Sequence, residues 1–370
     1  MPEAQQHDGG DAAAADSWCH AVTAYGALGD GEHDDTQAFQ RAADAADAEG
    51  GGCVRVPSVA RGSGFVLTST VTLAAGVKLV GAASGFPELP HEFGPPGDLA
   101  TTGGSRIFAR VTAPRAPLLA ITQGCGVKGL FIHYDRIPWP TDAEFVTPGS
   151  PYYYPSFEAA RENFRRDHVP AIGPTIYVTR GTRVHIEFVI ASRFVDMVYF
   201  DKGCGMSSVS NVQGYGYGRL ITVEEAADVL SFRNIRYSVN AGPNGLGNQY
   251  AGQPACARQH PAPECCRGNF TTLPAIIALD SDNVGIWLGR ADGYMATEIF
   301  FFGINTGIRL GFAPGNGTQL RNPVSGELAG GPGPGHGGAT ALPGGLPPGH
   351  GPWGACFLLS ICLQHNHSRC

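Results

Sequence analysis

The sequence carries little charge and no long hydrophobic run. Only 15% of its 370 residues are charged, and the formal net charge is −7. The charged residues form no basic stripe, so nucleic acid is not an expected partner. The longest apolar run, residues 356–363, is too short to cross a bilayer, so no membrane association is expected. Residues 1–17 contain neither a positive segment nor an apolar run, so no secretory signal is visible.

The ten cysteines do not form a recognisable metal motif. No Cys-x-x-Cys pair has a matching second pair or histidine, so we expect no zinc site. Cys256, Cys265 and Cys266 share a proline-rich stretch, where a local disulfide is expected. Three other cysteines lie in apolar or turn settings and are expected to be small core residues. They are Cys53, Cys125 and Cys204. Cysteine usage favours an extracellular location, against the missing signal.

Glycine and proline are abundant, with 53 and 28 residues, and helical patterns are few. This composition predicts many short strands joined by turns. Because helices do not alternate with these strands, the pattern excludes a doubly wound sheet. In the segment 184–190, alternation predicts four inward-facing residues, which are Val184, Ile186, Phe188 and Ile190.

One N-terminal segment is the most informative part of the chain. Residues 24–40 read AYGALGDGEHDDTQAFQ, and residues 50–57 read GGGCVRVP. Asp34 and Gln37 form a capping-box pattern at the start of a helix. That helix would bury one stripe at helical spacing, made of Phe39, Ala42, Ala43 and Ala46. Such a helix covers the open end of a solenoid and gives structural roles to Asp30, Asp34 and Asp35.

These segments resemble the N-terminal cap of the pectate-lyase-like, or rhamnogalacturonase/epimerase-like, family. The family's usual form is close to D-F-G-A-x-G-D-G-x-x-D-D-T-x-A-F-Q followed by G-G-x-V-x-V-P. This chain departs from it with Ala24-Tyr25 in place of Asp-Phe. The resemblance implies an all-β fold, a right-handed parallel β-helix with a short N-terminal capping helix. It also implies activity on long acidic or neutral polysaccharides.

Segment spacing predicts a solenoid with coils of roughly 25 residues. Val77 and Val127 begin similar Val-Lys phrases 50 residues apart, which we interpret as two coils. Val184 and Val209 are 25 residues apart. Stacked asparagines are expected to satisfy backbone groups at the turns, at Asn211, Asn234 and Asn283.

Three regions follow from these patterns. Residues 1–20 form an N-terminal segment that we expect to be disordered, and residues 21–312 form the β-helix domain. Residues 313–370 form a Gly/Pro-rich tail that we also expect to be disordered. Two insertions, 135–174 and 240–273, interrupt the coils, and loops of this length would wall a groove for a polymer.

The expected chemistry is that of carboxylates on the outer face of one sheet. Hydrolysis needs a proton donor and a second carboxylate. Elimination needs a base, with a cation or arginine to neutralise a uronate. The acidic candidates are Glu187, Asp196, Asp201, Asp228 and Asp292. The substrate-binding candidates are Arg193, Arg219, Arg290 and two tyrosines suited to stacking on sugar rings, Tyr215 and Tyr217.

The motifs of the related polygalacturonase-type hydrolases are absent. Asn305-Thr306-Gly307 lacks their aspartate, and the only Asp-Asp pair is Asp34-Asp35 in the cap. The resemblance, through about residue 312, implies a glycoside hydrolase or polysaccharide lyase with a polysaccharide partner, and calcium as cofactor if a lyase. A non-catalytic glycan-binding or structural β-helix is the alternative. A degenerate gene product is a third reading, suggested by the tail.

Overall fold

A computed structural model describes residues 19–60, 62–82, 104–140, 144, 147–238, 283–291, 293–302, 304, 306–311 and 359–364. These residues form sixteen strands, two α-helices and one 3-10 turn. The described strands pair in parallel, except that the last one is antiparallel to its neighbour. None of the described helices is both long and apolar enough to span a membrane.

The helices are α1 (Thr36–Ala48) and α2 (Phe157–His168), and the 3-10 turn is Val22–Tyr25. The strands, in chain order, are β1 (Cys19–Ala21), β2 (Gly52–Val56), β3 (Phe65–Leu67), β4 (Val71–Leu73), β5 (Val77–Gly81), β6 (Ser105–Ala109), β7 (Leu119–Ile121), β8 (Gly126–His133), β9 (Ile176–Val178), β10 (His185–Phe200), β11 (Ser207–Ala226), β12 (Leu230–Ser238), β13 (Val284–Ala291), β14 (Gly293–Phe302), β15 (Thr306–Leu310) and β16 (Leu359–Gln364).

The strands stack into three faces around one hydrophobic interior. The first face contains β1, β2, β5 and the opening halves of β8, β10, β11, β12 and β14. The second face contains β3, β6 and the following halves of β8, β10, β11, β12 and β14. The third face contains β4, β7, β9, the ends of β10 and β11, and then β13 and β15. This arrangement is a parallel β-helix, which confirms the predicted fold.

The first and second faces meet at a line of residues with left-handed backbone, here called the corner ladder. Its members occupy the same place in the strand register on successive coils: Gly129, Phe188, Asn211, Asn234 and Glu298. Each one resets the in–out alternation, because Ile186 and Val189 are both buried although they are three positions apart. The prediction that Phe188 and Ile190 face inward is therefore wrong. Phe188 sits at the corner, and Ile190 packs with Tyr215 outside the main core.

Asparagines stack within the corner ladder, as predicted. The Nδ2 of Asn234 donates a 2.8 Å hydrogen bond to Oδ1 of Asn211 on the preceding coil. Asparagine tolerates the left-handed conformation better than most residues with a Cβ. Asn283 has a different place, since it is fully buried and its Nδ2 donates to the Tyr237 hydroxyl at 2.8 Å.

The coil repeat is shorter than predicted. Ile186, Val209 and Phe232 are register partners, each 23 residues after the last. The pairing of Val184 with Val209 is therefore wrong by two residues. The interpretation of Val77 and Val127 as two coils apart is also wrong, because β5 and β8 are direct neighbours. One coil, enlarged by residues between β5 and β8, accounts for the spacing.

The cap forms as predicted, except at its first turn. The stripe of Phe39, Ala42, Ala43 and Ala46 is buried. The capping box is wrong, because Asp35 is the N-cap residue and its side chain makes no capping hydrogen bond. The carboxylate of Asp34 instead accepts hydrogen bonds from the Thr36 amide at 3.0 Å and from the hydroxyls of Thr36 and Thr68, each at 2.5 Å.

Asp35 anchors the turn that precedes the helix. It is fully buried and accepts hydrogen bonds from the amides of Leu28 at 2.6 Å, Val66 at 3.1 Å and Gly29 at 3.3 Å. Asp30 likewise accepts from the amides of Glu32 and His33. The buried Asp35 needs such donors, and the exposed Asp30 and Asp34 bind local backbone amides, so the cap acids have the structural roles that the sequence predicts.

A disulfide joins Cys19 on β1 to Cys53 on β2. The prediction that Cys53 is a small core residue is therefore wrong. Cys125 and Cys204 are free and buried, as predicted. Burial raises the pKa of the Cys204 thiol to about 11. The cluster of Cys256, Cys265 and Cys266 lies outside the described residues.

The first insertion contains helix α2. The Ser156 hydroxyl caps it by accepting from the Ala159 amide at 3.1 Å. Phe164 of α2 is fully buried, with its ring 6.1 Å from that of Tyr217. The insertion therefore packs on the coils. The second insertion, 240–273, lies outside the described residues.

The two predicted terminal segments are described only in part. Residues 1–18 lie outside the described residues, and β1 begins at Cys19, within the predicted N-terminal segment. In the tail, the described residues are those of β16, which pairs antiparallel with β14. Over these six residues the structure differs from the expected disorder.

Candidate functional site

The third face presents a row of large side chains on its outer surface. Ile176, Val198 and Ile221 are buried in the interior. Because successive side chains of a strand point to opposite sides, the residue after each of them points outward. Register pairing continues this row across five strands, through Tyr177, Tyr199, Thr222, Trp287 and Arg309.

A second row on the same surface contains two carboxylates. Asp201 and Glu224 come two residues after Tyr199 and Thr222, so they point to the same side. Asp201 directly follows Phe200, and Glu224 directly follows Val223. Phe200 and Val223 are register partners. The backbones of neighbouring coils lie about 4.8 Å apart. Asp201 and Glu224 are therefore side by side on successive coils.

Each carboxylate accepts a hydrogen bond from a tyrosine of the preceding coil. The Tyr177 hydroxyl donates to Oδ2 of Asp201 at 2.6 Å. The Tyr199 hydroxyl donates to Oε2 of Glu224 at 2.8 Å. Both bonds are diagonal, reaching two residues beyond the tyrosine's register partner. The two rings are 5.8 Å apart, so two equivalent tyrosine–carboxylate pairs repeat with the coil.

The two pairs differ in depth. Only 7% of the Glu224 side chain is exposed, whereas Asp201 is partly exposed. Lys202 is exposed and places its Nζ 3.8 Å from Oε1 of Glu224. A ligand would therefore approach from the side of Asp201 and Lys202, with Glu224 at the bottom of the site.

Burial keeps the two tyrosines in their protonated form. Burial, followed by the hydrogen bond to Asp201, raises the pKa of Tyr177. Burial, followed by the hydrogen bond to Glu224, raises the pKa of Tyr199 further. Both phenols are therefore hydrogen-bond donors at neutral pH, and both fix the orientation of a carboxylate.

Trp287 lies between two arginines of the neighbouring coils. The guanidinium of Arg219 on β11 is 4.6 Å from the indole centroid, and that of Arg309 on β15 is 4.8 Å away. The indole Nε1 donates to the Gly311 carbonyl at 3.1 Å, which fixes the ring. Cations at this distance from an indole are attracted by its ring quadrupole. The row thus ends in a rigid, positively charged block.

Asp196 is buried beside Arg219, with its Oδ1 3.8 Å from the arginine Nε. Its backbone carbonyl accepts hydrogen bonds from the amide and hydroxyl of Thr175. The structure therefore brings Asp196, Asp201 and Arg219 to the same face, with Asp196 below the surface.

Two other predicted residues lie elsewhere, and a third, Arg290, lies near the end of β13 at the edge of the third face. Glu187 is on the outer side of the first face, where it forms a 3.0 Å ion pair with Lys128. Asp228 lies in the turn after β11, and its carboxylate accepts from the Val229 amide at 2.7 Å. Arg290 forms an exposed 3.4 Å ion pair with Glu225. Asp292 lies outside the described residues.

The remaining predicted residues lie on β10 and β11, and two of them bind carbonyls of the first insertion. Tyr217 is fully buried, and its hydroxyl donates to the Pro138 carbonyl at 2.7 Å. Tyr215 is 2% exposed. Burial raises the pKa of both tyrosines. The structure thus leaves neither ring face open to a sugar. Arg193 donates to the Ile137 carbonyl at 3.1 Å.

The glycines between these tyrosines have a packing role. A Cβ at Gly216 would collide with the carbonyl and ring of Phe194, and one at Gly218 would collide with the Val195 carbonyl. At Gly289, beside the site, a Cβ would collide with the Glu224 carbonyl. Close approach of neighbouring coils therefore explains these glycines.

Sequence reasoning missed four residues of this face. Tyr177, Tyr199, Glu224 and Trp287 each follow a buried strand residue, so alternation alone marks them as outward-facing. Their grouping depends on which coils are neighbours. That requires the 23-residue register, which the approximate 25-residue repeat misplaces.

No metal centre is built from the described residues. Within these ranges, no three His, Cys, Asp or Glu side chains come close enough to hold an ion. Asp201 and Glu224 are a carboxylate pair, whereas calcium takes six to eight oxygen ligands. These residues therefore do not fit a calcium site, and no reaction step is assigned to this ion.

No protein-family model matches this sequence, and no curated protein matches it. Several solved structures, among them the following three, share part of its architecture. The tailspike protein of E. coli bacteriophage HK620, in complex with a pentasaccharide, is 8% identical with a TM-score of 0.42, covering 79% of this chain and 41% of that one. PfbA, a surface adhesin of Streptococcus pneumoniae, is 11% identical with a TM-score of 0.34, covering 60% and 62%.

The third is the tailspike protein gp49 of Acinetobacter baumannii bacteriophage Fri1, a capsular polysaccharide depolymerase. It is 14% identical with a TM-score of 0.38, covering 60% of this chain and 35% of that one. The similar region is less than two thirds of each of the three proteins. These likenesses concern the β-helix architecture, which the strand register independently establishes.

Proposed function

We propose that the protein is a carbohydrate-active enzyme of the pectate-lyase-like kind, and that it hydrolyses a polysaccharide bound across the third face. The observation that carries this proposal is the pair of tyrosine-bound carboxylates, Asp201 and Glu224, on successive coils. The exposed Lys202 and the exposed Arg309, which covers the Trp287 ring, would contact sugar hydroxyls or acidic groups.

The spacing of the two acids supports a retaining mechanism. Retaining glycosidases place their carboxyl groups about 5–5.5 Å apart, and inverting ones place them about 6.5–9.5 Å apart. Asp201 and Glu224 stand on adjacent coils, whose backbones are about 4.8 Å apart. They are bound by tyrosines with ring centroids 5.8 Å apart. This arrangement favours the shorter separation.

The surroundings of each acid suggest its role. Glu224 is recessed and oriented by both Tyr199 and Lys202, which suits the nucleophile. Asp201 is partly exposed at the rim, which suits the acid that protonates the leaving oxygen. Water then releases the sugar from Glu224, with Asp201 acting as the base. Tyr177 and Tyr199 act as positioning residues.

The test is to incubate the full chain with neutral and uronic polysaccharides, with and without calcium, and to follow reducing ends and ultraviolet absorbance. New reducing ends without absorbance are expected. An increase in absorbance would instead indicate elimination. Saturable glycan binding with no new chain ends, from folded protein, would favour the non-catalytic alternative.

Two matched variants identify the site. Glu224→Gln keeps the size of the side chain and an acceptor for Tyr199, so it should abolish cleavage without unfolding the protein. Glu187→Gln removes an outward carboxylate from a different face and should leave cleavage unchanged. Equal loss in both variants, or no loss in Glu224→Gln, would remove the third face from consideration.

An extracellular location is part of this proposal. The disulfide between Cys19 and Cys53 supports it, because structural disulfides persist mainly in oxidising compartments. Thiol alkylation of protein taken directly from the producing cells, followed by mass analysis, tests it. Alkylation of both cysteines without prior reduction would contradict the proposal.

A further inference from the structure

A serine and a histidine are paired on the second face, away from the proposed glycan site. His133 on β8 and Ser192 on β10 are register partners, and the histidine Nδ1 lies 2.6 Å from the serine Oγ. Both residues are 4% exposed. Phe108 and Tyr215 continue the same row on the flanking strands.

The surroundings keep the imidazole of His133 neutral, so its Nδ1 can accept a hydrogen bond from the Ser192 hydroxyl. Burial, followed by the charges of Arg193 and Arg106, holds the pKa of His133 well below its usual value. The imidazole is also stacked against the Phe131 ring, with centroids 6.1 Å apart. A neutral imidazole within hydrogen-bond reach of a hydroxyl is the arrangement that activates a serine nucleophile.

The backbone beside Ser192 is irregular. Arg193 has a left-handed φ of 61°, and the register between β10 and β11 shifts between Ser192 and Phe194. Such bulges redirect side chains and occur next to active sites. Arg193 is tied by its hydrogen bond to the Ile137 carbonyl.

A buried polar atom lies diagonally across from the serine. The Oε1 of Gln213, on the next coil, is buried without a hydrogen-bond partner among the described residues. Gln213 itself is 2% exposed. The Nε2 of the same amide contacts the hydroxyl of Tyr215, the register partner of Ser192, so the amide is held beside the pair.

We propose that Ser192 and His133 form a nucleophile–base pair that hydrolyses small carboxylic esters. The Ser192 Oγ attacks the ester carbonyl while its proton passes to Nδ1 of His133. The ester C–O bond breaks, and the leaving alcohol takes that proton. Water then attacks the acyl-serine with His133 as base, which releases the carboxylic acid and restores both residues. The guanidiniums of Arg106 and Arg193 would stabilise the transient oxyanion.

The narrow exposure of the pair limits the substrate to a small acyl group, such as an acetyl ester. The fold also offers a matched control, because a second pair of the same atoms exists on the first face. The Nδ1 of His185 lies 2.8 Å from the Ser208 Oγ, and that pair is open to solvent. Ser208 and His185 thus form a serine–histidine contact that lacks the buried surroundings of Ser192 and His133.

The experiment treats the full chain with a small fluorophosphonate and maps any adduct by peptide mass analysis. We expect a single adduct at Ser192. The Ser192→Ala and His133→Gln variants should lose it, and Ser208→Ala should retain it. Hydrolysis of 4-nitrophenyl acetate should fall by about 10²–10⁴-fold in His133→Gln and be unchanged in Ser208→Ala.

Wild-type protein without an adduct at Ser192, or with equal labelling of Ser192 and Ser208, would overturn the proposal. The mapping on wild-type protein gives this answer even if a variant fails to fold. The readout does not involve glycan cleavage, so this proposal and the proposed function succeed or fail separately.

Discussion

The Tyr199 hydroxyl donates a 2.8 Å hydrogen bond to Glu224, a residue that lies diagonally across from it on the next coil. Tyr177 makes the same contact to Asp201 one coil earlier. A solenoid repeats its geometry along one axis, so a single local arrangement is present twice. The face therefore presents two acids in the same orientation.

Removing the Tyr199 hydroxyl should affect stability more than removing that of Tyr177. In Tyr199→Phe the nearly buried Glu224 loses a donor, which should lower the free energy of unfolding by about 1–3 kcal/mol. In Tyr177→Phe the partly exposed Asp201 can turn to water, so the loss should be under about 1 kcal/mol. Urea denaturation measures both. Equal losses would contradict the difference in depth.

Alkaline pH should destabilise the fold through its buried tyrosines. Burial raises the pKa of Tyr217 and Tyr237 well above their ordinary 10.0. Above pH 10 the unfolded chain releases these protons and the folded chain keeps them, so stability present below that pH is lost as pH rises. Each such tyrosine contributes a slope of about 1.4 kcal/mol per pH unit.

Denaturation between pH 9 and 11.5, with phenolate absorbance recorded in parallel, measures this slope. Tyr217→Phe should show a shallower slope than wild type, because one linked proton is removed. A wild-type slope of zero would show that these phenols ionise in the folded state.

Reduction of the Cys19–Cys53 disulfide should loosen the cap. The two cysteines are 34 residues apart in sequence. Chain-entropy arguments give about 3–4 kcal/mol for a loop of this size. Thermal unfolding with and without dithiothreitol measures the effect. A Cys19→Ser/Cys53→Ser variant should unfold at the same temperature as reduced wild type, and dithiothreitol should not lower that temperature further. An effect of dithiothreitol on this variant would point to another disulfide.

Substitutions at Asn211 should separate backbone strain from hydrogen bonding. Asn211→Ala loses the bond from Asn234 and keeps a Cβ at a φ of 53°, so it should cost about 2 kcal/mol. Asn211→Gly loses the bond but adopts this φ easily, so it should cost about 1 kcal/mol. Chemical denaturation compares the two variants. An alanine variant more stable than the glycine variant would refute the role of backbone strain at this corner.

The sequence predicted the elements that depend on local chemistry. The apolar stripe of α1 and the structural acids of the cap follow from spacing and from the donors that a buried carboxylate needs. The capping box failed because the Asp34 oxygens are already engaged by Thr36 and Thr68. Thr68 is distant in sequence, so no local pattern reveals its contact.

The candidate site was predicted in part, because neighbours across coils depend on register. Asp196, Asp201 and Arg219 were named from their surroundings in sequence, and they share a face. Glu187 and Asp228 are separated from them because each coil turns three times. Glu224 was missed because its contact with Tyr199 is diagonal, two residues beyond the register partner Thr222, and no local pattern reveals such a contact.

The corner ladder determines how the length of this chain can change. Val189 and Val212 occupy equivalent places on successive coils, immediately after Phe188 and Asn211. Excising residues 189–211 would join Phe188 directly to Val212 and keep every later corner at a left-handed position. Excising one residue would put the following corner out of phase with its neighbours. The whole coil is thus the module by which proteins of this architecture can be shortened, extended or recombined.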